Sequence, residues 1–129
     1  MNKTMLIGRL TSASEISKTT NDKSYVRVTL AVNRRFKNEK GEREADFISI
    51  IIWGKSAETL VSYAKKGSLI SIEGEIRTRN YTDKQNQKHY VTEILGLSYD
   101  LLESRATIAL RESAIKTGET LLDAEELPF

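Results

Sequence analysis

The 129-residue sequence contains no cysteine, a single histidine (His89) and a single tryptophan (Trp53). Without cysteine there is no disulfide, no thiolate nucleophile and no cysteine-ligated metal, a composition compatible with a reducing cytoplasm. A lone histidine leaves no zinc site and no histidine-activated nucleophile, and His89 reads as an ordinary strand residue. No stretch approaches the roughly 18 apolar residues of a membrane helix. The N-terminus lacks a basic-then-apolar export segment with a small-residue cleavage site. No glycine-rich phosphate loop and no internal repeat stand out. These absences lead us to expect a cytoplasmic protein with no cofactor, no metal and no catalytic residues.

Apolar residues, at 39%, suffice for one modest core, and 29% charged residues suit a solvated surface. The net charge of +2 conceals an asymmetry. Four of the 18 acids (Glu119, Asp123, Glu125, Glu126) lie from Glu119 to Phe129, where there is no Lys or Arg. The remaining 14 acids face all 20 basic residues in Met1 to Gly118, a body charge of +6. A basic body with an acidic tail points to a polyanionic ligand, the tail competing for that surface or docking elsewhere.

Alternation of apolar and polar residues predicts strands. Met5 to Leu10 is a short apolar opener. In Tyr25 to Asn33, Val26, Val28, Leu30 and Val32 share one face, and Tyr25, Arg27, Thr29 and Ala31 the other. Thr19 to Asp22 is a turn, and Arg34 to Gly41 reads as a hydrophilic loop. In Phe47 to Trp53, Ile48, Ile50 and Ile52 fall on one face, so Phe47, Ser49, Ile51 and Trp53 fall on the other. Ser56 to Lys66 reads as a helix. Its stripe is Ala57, Leu60, Val61 and Ala64, with Glu58 in the first turn, Lys65 and Lys66 in the last, and Gly67 as the stop. Strands Ser68 to Thr78 and His89 to Leu97 follow, joined by a hairpin around Asp83 to Gln87. Five strands with one helix between the third and fourth is the element order of the OB-fold, an all-β barrel. The expected organisation is a folded domain over 1–103, a linker with helical tendency over 104–120, and an acidic tip over 121–129.

The outward aromatics carry the functional reading. If the isoleucines fill the barrel, Phe47 and Trp53 face outward, which needs a ligand, a partner subunit or the helix to cover them. Arg77, Arg79 and Tyr81 follow one another on one strand face, and Phe36 sits among Arg34, Arg35 and Lys37. Rings interleaved with cations suit unpaired nucleic acid: the rings stack on exposed bases and the cations neutralise phosphates. Duplex DNA hides its base faces. Two other classes compete with this reading. One is an RNA-binding OB-fold module, since nothing here reads a 2′-hydroxyl. The other is an enzyme using Glu73 and Glu75, a carboxylate pair on one strand face, to hold Mg²⁺ or move protons. Gly74 between them and Arg77 beside them favour a solvated sheet surface instead.

The sequence resembles the bacterial single-stranded-DNA-binding proteins. The resemblance rests on Asn2-Lys3, Leu6-Ile7-Gly8-Arg9-Leu10, Trp53-Gly54-Lys55 with Ala57-Glu58, Lys66-Gly67-Ser68, Glu73 to Arg79, Tyr90 to Glu93, and the terminal Glu125-Glu126-Leu127-Pro128-Phe129. It implies an OB-fold assembled as a homotetramer with single-stranded DNA wrapped around it. The family's four stacking aromatics fall on Phe36, Phe47, Trp53 and Tyr81, and Lys3, Lys55, Lys66, Arg77 and Arg79 match its basic positions. Arg34, Arg35 and Lys37 are added from charge alone. The resemblance also implies a nucleoid-associated protein whose tip (Asp123, Glu125, Glu126, Leu127, Pro128, Phe129) recruits replication, recombination or repair proteins. Phe129 and Pro128 would supply an apolar anchor and the acids a match to a basic pocket. There are two departures. Ile48 stands where a histidine is common at the subunit interface, and the linker lacks a long Gly/Gln/Pro-rich stretch. This compact form is similar to the secondary paralogues of Gram-positive bacteria associated with uptake of transforming DNA.

Overall fold

The computed structural model describes residues 1–116, and the predicted tip over 121–129, like the end of the predicted linker from 117 to 120, lies outside the described residues. The elements are β1 (Thr4–Leu10), β2 (Ser17–Lys18), β3 (Ser24–Lys37), β4 (Arg43–Trp53), α1 (Lys55–Tyr63), β5 (Leu69–Thr82), β6 (Lys88–Leu101) and α2 (Arg105–Lys116). The strand order is β1-β5-β6-β4-β3, the two-residue β2 adds to β3, and β1 pairs back onto β3. Five strands thus close into a barrel. Its pairings are antiparallel apart from β4 with β6, which run parallel at Ile50↔Ile94 and Ile51↔Leu95. With α1 between the third and fourth barrel strands, this is an OB-fold.

The period-2 alternation fills the barrel. Leu10, Val26, Val28, Leu30, Ile50, Ile52, Ile70, Ile72 and Ile94 form the core, joined by Ala57, Leu60 and Ala64. Ile48 packs against the same cluster, so the position that departs from the family's histidine contributes to the interior here. Barrel closure depends on Gly8. Only Arg9↔Ala31 and Leu10↔Leu30 pair β1 with β3, and a Cβ on Gly8 would fall on the Ala31 carbonyl oxygen.

Three turns share one construction. In Thr19–Lys23, Asn38–Glu42 and Asp83–Gln87 the first residue's N–H donates to the fifth residue's carbonyl, at 2.8–2.9 Å. The first side chain accepts from backbone N–H groups within the turn, and the fourth residue (Asp22, Gly41, Asn86) has positive φ. Short polar side chains and left-handed-tolerant residues are what such turns select.

Several sequence boundaries shift. The segment Arg34 to Lys37 continues β3 as a paired strand (Lys37↔Arg43), so the loop shrinks to the turn at its tip. Polar residues there had read as loop, but an arm beyond the barrel has no core to bury and needs no apolar alternation. Helix α1 ends at Tyr63, with Ala64 already extended. Lys65 and Lys66 therefore lie in the following turn. That turn is held by Ser68, whose hydroxyl accepts from the Lys65 N–H, and by the Gly67 N–H donating to the Leu10 carbonyl. Ile51, on the outward face of β4, is only 6% exposed.

Helix α2 docks on the barrel through buried Ile108 and a charged clamp. Glu103 accepts from the Leu69 N–H (2.9 Å), from Arg9 and from Arg111, and both guanidiniums also donate to the Gly67 carbonyl. Burial alone would raise the Glu103 pKa, but these donors outweigh it and hold the carboxyl below its usual range. The clamp therefore contributes fully above the ordinary carboxylate pKa and is lost as pH falls through the lowered value.

Two substitutions probe this framework. Gly8→Ala is expected to cost about 2–3 kcal/mol, because the obstacle is backbone rather than a yielding side chain. Glu103→Ala is expected to cost about 1–3 kcal/mol by removing the carboxylate that two arginines and the Leu69 N–H share. Urea unfolding followed by circular dichroism measures both.

Candidate nucleic-acid interface

The residues alternating with the core form the outer face of β3, β4, β6 and β5. Antiparallel register sets Tyr25 opposite Trp53 and Arg27 opposite Ile51. Across the sheet, Arg77 lies opposite Glu93 and Tyr81 opposite His89. The side chains form a continuous band. The Tyr25 and Trp53 rings lie 5.1 Å apart between centroids, tilted by 40°. The Arg27 guanidinium is 6.0 Å from the Tyr25 centroid and donates to Glu93 Oε2 at 2.5 Å. Arg79 donates to Glu93 Oε1 at 3.2 Å and lies 5.9 Å from the Tyr81 centroid. Tyr81 in turn stacks on His89 at 5.0 Å and 17°, and His89 Nε2 lies 2.6 Å from Asp83 Oδ2. Trp53 and Tyr81 are both exposed, so this single-chain surface leaves aromatic area open between cations.

The remaining sequence-predicted residues fall around this band. Phe36 stands on the arm formed by β3 and β4, and Phe47 lies opposite Ala31 at the barrel seam, 77% and 69% exposed. Arg35 and Lys37 are exposed on the same arm, and Lys55 follows Trp53-Gly54 as the first residue of α1. Arg34 lies on the side of β4 opposite Phe47: it forks onto Asp46 (2.9 and 3.1 Å) and reaches Glu44 (3.0 Å), residues that alternate with Phe47. The Arg34 hydrogen bond holds the Asp46 carboxyl below its usual range, and Asp46 likewise raises the Arg34 pKa. Arg77 is paired with Glu75 at 2.8 Å and Lys3 with Glu73 at 2.9 Å. Lys3, before β1, and Lys66, in the turn after α1, take no part in the ring–cation contacts of the band.

Comparison with known proteins agrees with this geometry. A model of the single-strand binding protein family matches residues 1–102. The chain belongs to the single-strand binding protein family. Single-stranded DNA-binding protein 2 of Streptococcus agalactiae is 57% identical over 99% of this chain and 98% of its own length. Single-stranded DNA-binding protein 1 of Streptococcus pyogenes is 58% identical with the same coverage. The single-stranded DNA-binding protein of Streptococcus mutans is 50% identical over 92% of this chain but 72% of its own length.

In this member of the single-strand binding family, Tyr25, Arg27 and Glu93 join the band although sequence reasoning did not select them. Alternation had put Tyr25 and Arg27 on the outward face of their strand. What it lacked was the register that sets them beside Trp53. Glu93 closes a stretch that carries the family resemblance, but its charge gave no sign of a place in the site, since an acid is unexpected on a surface for polyanions. The carboxylates of the enzymatic alternative, Glu73 and Glu75, are each engaged by a cation. Among the described residues no group of three or more His, Cys, Asp or Glu converges as a metal site would require.

The Asp83 carboxyl is held below its usual range, first by His89 and then by the Gln87 and Gln85 N–H groups. Its contribution to the hairpin tip is therefore complete above the unfolded carboxylate pKa, and is lost only as pH falls through the lowered value. The Gln85 and Gln87 amide resonances are expected to titrate with a midpoint below that of an ordinary aspartate, and Asp83→Asn to abolish that titration.

Proposed function

We propose that this chain binds and protects single-stranded DNA with little base preference and without making or breaking bonds in it. The observation that carries this reading is the exposed band in which rings alternate with guanidiniums, from Trp53 and Tyr25 to Tyr81. Bases stack on such rings for about 1–3 kcal/mol each, a range that comes from single-strand binders of this kind, and cations between them meet the backbone. Phe36, Phe47, Trp53 and Tyr81 are the stacking residues of the proposed site. Arg77 and Arg79 take phosphates on β5, Lys55 beside Trp53, and Arg35 and Lys37 along the arm. Lys3, Lys66 and Arg34 extend the positive field and reach DNA only as it wraps beyond the band. The streptococcal relatives are named for single-stranded DNA binding.

The working assembly in this reading is a homotetramer in the cytoplasm, on the nucleoid. Met5 and Ile7 stand exposed on the outer side of β1, an apolar strip that a second copy would cover. Residues 1–103 bind DNA, 104–120 connect, and 121–129 recruit replication, recombination or repair proteins. The acidic Asp123, Glu125 and Glu126 with Leu127, Pro128 and Phe129 suit a basic, apolar-floored pocket. In this reading the chain is a secondary form that serves DNA uptake.

Trp53, the only tryptophan, reports on the site directly. Oligo-dT is expected to quench its fluorescence strongly and duplex DNA weakly. Affinity should fall with salt on a log–log slope of about −0.7 per phosphate neutralised. An RNA oligomer of equal length should compete less well. Unchanged Trp53 fluorescence on adding oligo-dT would remove the tryptophan from the site.

A further inference from the structure

One charge on the band has the wrong sign for its ligand. Glu93 points outward from β6, opposite Arg77 on β5, yet its side chain is only 7% exposed and both oxygens are occupied. Arg27 comes from β3 and Arg79 from β5, and in the sheet order β4 and β6 lie between these two strands. To reach Glu93, Arg27 must extend across β4 at the level of its register partner Ile51. Ile51 is buried on an otherwise open face, as it would be under the aliphatic stem of an arginine, which covers apolar surface.

The two guanidiniums keep 43% and 45% of their side-chain surface exposed. Each is held between the shared carboxylate and a ring, Arg27 by Tyr25 and Arg79 by Tyr81. One carboxylate therefore sets the position of both cations relative to both aromatic ends of the band. Resting on the single-strand-binding reading above, we propose that Glu93 is a positioning residue for DNA, and that Tyr25 and Arg27 form with Trp53 a further nucleotide subsite on β3. Tyr25 widens the stacking platform of Trp53, Arg27 meets the adjoining phosphate, and Glu93 holds Arg27 extended before DNA arrives. Arginines fixed in advance lose less side-chain freedom on binding than free ones.

Charge counting and positioning predict opposite signs. Removing an acid from a surface that binds a polyanion should tighten binding if net charge governs it. If Glu93 positions the arginines, Glu93→Gln should weaken binding of labelled oligo-dT by about fivefold to tenfold, as expected when preorganisation is lost. Arg27→Gln should weaken binding and make the log–log salt slope shallower by about 0.7, one phosphate contact. Tyr25→Leu should weaken binding with the slope unchanged.

Anisotropy titrations of the full chain, with thermal midpoints recorded for each variant, decide the matter. Weaker binding by a Glu93→Gln protein that stays folded at the assay temperature supports the proposal. Equal or tighter binding overturns it, as does a lowered midpoint with unchanged affinity, the signature of a purely structural carboxylate. If Glu93→Gln does not fold, Arg27→Gln decides alone: a shallower slope supports the subsite and an unchanged slope overturns it. A wild-type chain that fails to bind oligo-dT would instead reject the underlying single-strand reading.

Discussion

The barrel is closed by two residue pairs, Arg9↔Ala31 and Leu10↔Leu30, and this short seam bends the whole sheet. It forms because Gly8 carries no side chain where the β3 backbone approaches. Once β1 meets β3, the alternating apolar residues of all five strands share one interior. The residues between them are then turned onto one curved outer surface, since closure ties strand tilt and stagger together. The band from Trp53 to His89 follows from that curvature. Four strands contribute to it, one or two residues each.

Around this surface several cations already have an acidic partner: Lys3 with Glu73, Arg34 with Asp46, Arg77 with Glu75. These pairs are solvent-exposed, and such pairs contribute roughly 0–1 kcal/mol, so a phosphate can replace the carboxylate at little cost. Glu93 differs because it is buried and serves two arginines at once. Taking it away leaves two partly desolvated cations without their acceptor, which costs far more than losing a surface pair. The outer face therefore has a fixed counter-charge at its centre, with replaceable ones around it.

The fold was largely legible in the residues. Period-2 alternation in Tyr25 to Asn33 and Phe47 to Trp53 marked both the strands and their inner faces, because a half-buried sheet requires that period. The polar residues of Thr19 to Asp22 and of Asp83 to Gln87 marked two turns for an equally local reason. Misread boundaries lay where the core ends. The β3 arm from Arg34 to Lys37 looks like loop because strand pairing there is maintained by backbone hydrogen bonds rather than apolar burial. Helix α1 stops three residues early because the Lys65 to Ser68 turn is claimed by contacts to β1.

The sequence by itself determined which residues face inward, where the aromatics and cations cluster along each strand, and the family to which the chain belongs. Each of these depends on local spacing or on motifs that survive in one dimension. Only the tertiary structure decided that Tyr25 stands against Trp53, that Arg27 crosses β4, and that Glu93 joins two arginines. Those contacts depend on strand register and strand order, and register is set by closure of the barrel between residues distant in the chain.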